Sequence, residues 1–224
     1  MIPYLAFLVI SILLLNKFFL RKKILINETG DVHQKFASKS KIPLTGGIFI
    51  FFGYLYFLDN EILSFITFSF IVFMLGIFSD LKVIKSANYK FLLQILLILS
   101  YVVFNNVQIS NTRIYLLDIV LSNNFFNYFF VTFCLLIVVN GTNFIDGMNT
   151  LSIGHYLSIS FIIFLLNFNN QIQINDISII YIVILLVCAF ALNMCNQLYL
   201  GDSGSYLLGF SFSTFLISIY NWNP

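Results

Sequence analysis

The chain has 224 residues, is 60% hydrophobic and only 9% charged, and has a mean hydropathy of +0.96. Soluble domains carry about 25% charged residues, so this composition excludes an ordinary soluble fold and specifies an integral membrane protein. A net charge of +2 leaves no basic footprint for nucleic acid, and AT-rich codon usage would also produce the many Phe, Tyr, Ile and Asn, so no aromatic box is read from them.

A helix needs roughly 17–25 apolar residues to cross the hydrocarbon core. Eight stretches are candidates, several at the short end: 2–20, 43–58, 62–79, 89–105, 125–141, 151–168, 177–195 and 204–220. The first lacks a positive n-region and a small-residue cleavage site, so it reads as a retained helix and not a signal peptide. The break after it, 21–42, holds Arg21, Lys22, Lys23, Lys35, Lys39 and Lys41, with Glu28, Asp31 and a solvated His33. The second span opens on "KIPLTGG" (41–47), where Gly46-Gly47 points to close helix packing. The third ends in "LGIFSD", with Gly76 allowing close backbone approach and Asp80 at the helix end.

Lys82, Lys85 and Lys90 surround the next break. Lys90 and Gln94 lie four apart, on one face of the fourth span. Lys90 sits in the first turn, where the helix dipole disfavours a cation. It is either a charge anchor at the membrane surface or a partner for an anionic ligand. Residues 106–118 suggest a short hairpin or interfacial segment. The fifth span runs into "NGTNFIDGMN" (140–149), where Asn140 and Asn143 share a helical face and Asp146-Gly147 makes the turn. Buried amides must be hydrogen-bonded, so a capping network accounts for part of this run. Asn149 and Thr150 extend it beyond one cap, which favours a polar ligand site. His155 in the sixth span is expected to be hydrogen-bonded within the bundle. Cys134, Cys188 and Cys195 form no C-x-x-C pair and read as reduced packing residues. The last span opens with Gly201, Asp202, Ser203, Gly204 and Ser205. These exceed what one N-cap requires and suit a helix N-terminus presenting amides to phosphate, with a carboxylate nearby for a metal.

Ten of the eleven Lys and Arg fall on one side of this arrangement, and only Arg113 on the other. The positive-inside rule then places the N-terminus outside and the breaks at 21–42, 80–88, 142–150 and 196–203 in the cytoplasm. Asp80, Asp146 and Asp202 all fall at cytoplasmic helix ends. Three carboxylates converging there would repel one another without a cation, and Mg²⁺ typically takes one or two carboxylates plus substrate phosphates. The fold class is therefore all-α, a polytopic helical bundle of about eight transmembrane helices.

"IPLTGG", "GIFSD…K…Q", "NGTNFIDGMNTLSIG" and "LGDSGSYLLGF" together resemble, in order and side, the four cytoplasmic motifs of the polyprenyl-phosphate N-acetylhexosamine-1-phosphate transferases, glycosyltransferase family 4. The resemblance runs from about residue 28 to 213. It implies transfer of a sugar-1-phosphate from a UDP-sugar to undecaprenyl phosphate, releasing UMP, in a bacterial inner membrane. It also implies Mg²⁺, with Mn²⁺ as the substitute, and leaves room for a homodimer. Carried over by position, Asp202 is the principal metal ligand with Asp146, and Asp80 lies near the lipid phosphate as the second catalytic carboxylate. Lys90, Gln94, Asn140, Asn143, Asp146, Gly201, Ser203, Gly204 and Ser205 form the substrate-binding set.

Three departures stand out. The family's Asp pair is Ser79-Asp80 here, and its D-G-x-D-G is "DGMNT". The single 1–224 transferase domain lacks the family's last spans and His-containing loop, so one expectation is a fragment or a truncated, inactive homologue with poor turnover. An ion-coupled transporter is the rival of another class. It would place polar residues at the bilayer midplane and break helices there, whereas this chain gathers its polar groups at one interface.

Overall fold

The computed structural model describes residues 2–27, 41–56, 63–147, 150–172 and 174–222. Expectations attached to Glu28, Asp31, His33, Lys35, Lys39 and Asn149 lie outside the described residues. The described elements are α1 (Ile2–Lys22), β1 (Ile26–Asn27), β2 (Ile42–Pro43), α2 (Gly46–Leu55), α3 (Leu63–Asp80), α4 (Ala87–Phe104), α5 (Tyr115–Leu121), α6 (Asn124–Ile145), α7 (Leu151–Phe168), α8 (Asp176–Met194) and α9 (Gly201–Trp222). The protein is an all-α polytopic membrane bundle. Eight helices coincide with the eight expected spans; of residues 106–118, where a short hairpin or interfacial segment is expected, only 115–118 fall in a further short helix, α5.

Six of these helices, α1, α3, α4, α6, α7 and α8, are long and apolar enough to cross a membrane. At most a third of each is buried in the bundle, and the remaining surface carries residues such as Phe7, Leu14, Phe133 and Phe161 toward lipid. The described part of α2 is ten residues long. α9 has the length but not the hydropathy, because Gly, Ser and Asp crowd its first turns.

α9 is the centre of the bundle, with residues 203–214 buried throughout and α3, α6 and α2 packed around it. Hydroxyls inside a membrane helix must find partners within the protein. Here Ser211, Ser213 and Thr214 donate to the carbonyls of Leu207, Gly209 and Phe210, at 2.7, 2.6 and 2.9 Å. Small residues then let the backbones close up, as expected where packing and not hydrophobicity joins helices in lipid. A Cβ on Gly76 of α3 would lie 2.3 Å from Ser203 Cα, and one on Gly46 would lie 2.7 Å from Leu200 Cα.

The approach to α9 is held as firmly as the helix. Tyr199 N donates to Pro43 O at 2.8 Å, and Gly46 N returns to Tyr199 O at 2.8 Å. Two buried asparagines fasten the same segment. Asn16 of α1 donates to Gln197 O (2.6 Å) and accepts from Thr45 Oγ1 (2.7 Å). Asn193 donates to Leu198 O (3.0 Å) and accepts from Thr150 N (2.8 Å). These contacts place the start of α9 against the ends of α3 and α6, where the charged residues are.

Candidate active site

The chain enters α9 through Gly201, whose φ of +69° lies in the left-handed region that glycine adopts without steric cost. A Cβ there would also come within 2.9 Å of an Asp80 oxygen. Asp80 ends α3, and its carboxylate turns onto the first turn of α9. Oδ1 accepts from Asp202 N at 2.8 Å and Oδ2 from Ser203 N at 3.0 Å. A carboxylate at the positive end of a helix, receiving two amides that have no intrahelical partner, is a favourable cap supplied from another helix. Asp146, the C-cap of α6, is electrostatically coupled to both Asp80 and Asp202. Two of the amides expected to face a phosphate are thus taken by the protein's own Asp80.

Asp202 itself is arranged asymmetrically. Its Oδ2 receives the Ser79 hydroxyl, Lys90 Nζ at 3.3 Å and the Tyr206 hydroxyl at 3.5 Å. Its Oδ1 has no hydrogen-bond partner among the described residues, and a quarter of the side chain remains exposed. The Lys90–Asp202 pair is equally exposed on the lysine side, so it orders the site more than it stabilises the fold. Ser79 stands where the family resemblance calls for a carboxylate. It serves as a neutral donor to Asp202, lowering the repulsion among the acids. Desolvation, then the Asp80 and Asp202 charges, hold the Asp146 carboxyl well above the usual carboxylate range. The three aspartates from separate helix ends therefore share one electrostatic environment.

The other expected residues divide. Ser205 Oγ donates to Asn143 Oδ1 at 3.0 Å, bringing α6 and α9 together beside Asp202. Asn140 turns away from the cluster and donates to Leu136 O of its own helix at 2.9 Å. Gly204 is enclosed: a Cβ on it would lie 2.9 Å from Gly47 N, so its smallness serves helix contact. Ser203 is fully buried. Gln94 is buried on the interior stripe of α4, one turn from Lys90, with neither amide atom hydrogen-bonded. His155 is exposed and its ring meets Tyr156, contrary to the hydrogen-bonded interior position expected for it. Tyr206 escaped the sequence reading, although its i+4 spacing from Asp202 on one helix face was the available signal.

Among the described residues no group of three His, Cys, Asp or Glu side chains is placed to hold a metal by itself. The donor set nevertheless suits a hard divalent cation completed by substrate. Asp202 Oδ1 is free, Asp146 is a desolvated acid that a cation would relieve, and Mg²⁺ takes phosphate oxygens and water for its remaining positions.

The family model of glycosyl transferase family 4 matches residues 62–220, the stretch from the start of α3 through most of α9. No curated protein matches the chain.

Proposed function

The chain belongs to glycosyl transferase family 4, and from that premise we propose that it transfers N-acetylhexosamine-1-phosphate from a UDP-sugar to undecaprenyl phosphate. UMP is released, the lysine-rich face is the cytoplasmic one, and the product begins a cell-envelope glycan at a bacterial inner membrane. Family membership supports sugar-1-phosphate transfer to a polyprenyl phosphate in general terms. The observation that carries the finer reading is Asp202, with one oxygen fixed by three donors and the other without a hydrogen-bond partner among the described residues.

Asp202 Oδ1 and Asp146 would hold Mg²⁺, which when bound neutralises charge on a diphosphate and on the departing UMP. Ser79 and Tyr206 hold the Asp202 carboxylate in one orientation, so the free oxygen is presented before substrate arrives. Lys90, beside that carboxylate, supplies positive charge where a diphosphate would lie. The acceptor is a phosphate monoester that is already anionic near neutral pH, so its oxygen attacks phosphorus without a strong general base. Asp80 is then a positioning residue: it fixes the backbone from which Asp202 projects.

The test is protein in lipid nanodiscs with radiolabelled UDP-N-acetylglucosamine or UDP-N-acetylgalactosamine, undecaprenyl phosphate and Mg²⁺. Lipid-linked product is expected from the unmutated chain, with a loss of at least about 100-fold for Asp202→Asn, the scale of removing a principal electrostatic group. Equal product from Asp202→Asn would overturn the assignment of Asp202. Absence of product from the unmutated chain would overturn the activity.

A further inference from the structure

A cavity of about 220 Å³ lies inside the bundle, enclosed by α2, α7, α8 and α9 with Phe65 of α3 at one side. None of its lining residues belongs to the site at the start of α9. Its wall is mainly Ile and Phe, Ile163 and Phe212 among them, but hydroxyls from four helices also open into it: Tyr54, Ser160, Tyr181 and Ser211. Tyr54 stands eight residues into α2, Ser160 nine into α7 and Ser211 ten into α9. At 1.5 Å per residue these depths are about 12–15 Å from the lysine-rich face, the middle of a hydrocarbon core of about 30 Å.

The hydroxyls differ in what they have left to give. Ser160 donates to Tyr156 O at 2.8 Å, Tyr181 to Gly53 O at 2.9 Å and Ser211 to Leu207 O at 2.7 Å. Tyr54 is the exception, for its hydroxyl is buried and has no hydrogen-bond partner among the described residues. Ser211 lies close enough to act on it electrostatically, yet its proton is committed to Leu207 and no hydrogen bond joins the two hydroxyls. A hydroxyl carries one proton and two lone pairs, so Tyr54 keeps a donor and Ser211 keeps acceptor capacity. Leaving a buried donor unmade is costly, and in lipid no water is at hand to relieve it.

We propose that this cavity binds a small neutral amphiphile headed by a hydroxyl, an alcohol of medium chain length, whose OH bridges Tyr54 and Ser211. The alcohol oxygen accepts the Tyr54 proton and its own proton goes to the Ser211 oxygen, so one group meets both needs. A carbonyl would serve Tyr54 alone. Depth excludes a phosphate or ammonium headgroup, because a charge at mid-membrane is expensive and no charged side chain lines the cavity to pair with it. A single water would bridge the hydroxyls but leave the Ile and Phe wall without contact. An apolar-walled cavity of about 150 Å³ stays dry and takes benzene, so one of about 220 Å³ has room for an apolar tail beyond the hydroxyl. The site is separate from the transfer chemistry and does not depend on it.

The experiment is photolabelling of the full chain in nanodiscs with a diazirine-bearing octanol, mapped by mass spectrometry. Octanol and octane serve as competitors at equal mole fraction in the bilayer. Saturable labelling of the segments around Tyr54 and Ser211 is expected, displaced by octanol and about two- to tenfold less well by octane, the equilibrium counterpart of one net hydrogen bond. Tyr54→Phe deletes only the unpaired hydroxyl. It should weaken octanol by the same two- to tenfold or so and leave octane unchanged. Its melting temperature should hold or rise, because an unpaired buried donor is removed; a merely structural hydroxyl would lower it. Ser178→Phe, at a half-buried position on the cavity wall, should abolish saturable labelling by filling the space while the chain still melts cooperatively. Unsaturable labelling spread over the lipid-facing surface, or equal octanol affinity in Tyr54→Phe and the unmutated chain, overturns the proposal. Octane competing as well as octanol assigns the cavity to plain hydrocarbon and likewise overturns it.

Discussion

A methyl group does not fit at Gly76, because its Cβ would lie 2.3 Å from Ser203 Cα on a buried helix crossing. Gly141, inside α6, has nothing within 4 Å of its hypothetical Cβ. Gly76→Ala should therefore cost about 1–3 kcal/mol through overpacking, whereas Gly141→Ala should be neutral or gain up to about 1 kcal/mol of helix propensity. Thermal unfolding of the two variants in detergent decides the matter, and equal melting temperatures would remove the close crossing from the account. Asp80 and Asp202 should separate in a second way. Asp80→Asn places an amide donor against one of two backbone donors, and hydrogen bonds to charged groups contribute about 1.5–3 kcal/mol. Both stability and transfer should fall together. Asp202→Asn removes one of three mutually repelling acids, so its melting should stay close to that of the unmutated chain while transfer is lost. Comparable destabilisation by both would make Asp202 a structural residue. The sequence pointed to both aspartates through their place at helix ends. It could not show that Asp80 faces inward onto α9, because a cap donated from 122 residues away leaves no local pattern.

At the scale of elements, the start of α9 is set by paired backbone and two buried amides as well as by its own residues. Asn193 satisfies Thr150 N and Leu198 O at once. Asn193→Leu leaves both groups without that partner, at about 1–3 kcal/mol each. Hydrogen exchange followed by mass spectrometry should show faster exchange across residues 198–201 than in the unmutated chain, with the α4–α6 contact unaffected. Unchanged protection at 198–201 would show that the pairing with residues 43–47 suffices alone. This link was illegible beforehand because one Asn near the end of an apolar helix looks the same whether it meets lipid headgroups or another loop. Hydrophobic runs, by contrast, showed seven of the spans plainly. α9 was legible as an apolar run despite its Ser and Thr, whose hydroxyls bond to their own helix and so do not oppose burial.

At the scale of the molecule, charge asymmetry and site geometry converge on one face. The ends of α1, α3 and α6 and the starts of α4 and α9 carry Lys17, Lys22, Lys82, Lys90, Asp80, Asp146 and Asp202, whereas Arg113 lies among the loops of the opposite end. The topology predicts that, in a cysteine-free background, Asn124→Cys is labelled by an impermeant maleimide in intact cells and Lys85→Cys only after lysis. The reverse pattern would invert the orientation. An ion-coupled carrier would put its polar groups at mid-membrane; in the central helix α9 the hydroxyls of Ser211, Ser213 and Thr214 are instead bonded to carbonyls of their own helix, and the Asp202 oxygen without a hydrogen-bond partner among the described residues is at the lysine-rich surface. Under the proposed function, Asp202 presents that oxygen to a cation shared with a nucleotide diphosphate. Mn²⁺ titration followed by electron paramagnetic resonance, on the full chain in nanodiscs with UDP present, tests it most directly. One UDP-dependent Mn²⁺ per chain is expected, weakened by more than about tenfold in Asp202→Asn, as loss of a direct ligand should exceed loss of an outer-shell partner, and unchanged in Asp118→Asn on the opposite face. Mn²⁺ held equally tightly by Asp202→Asn would contradict the claim.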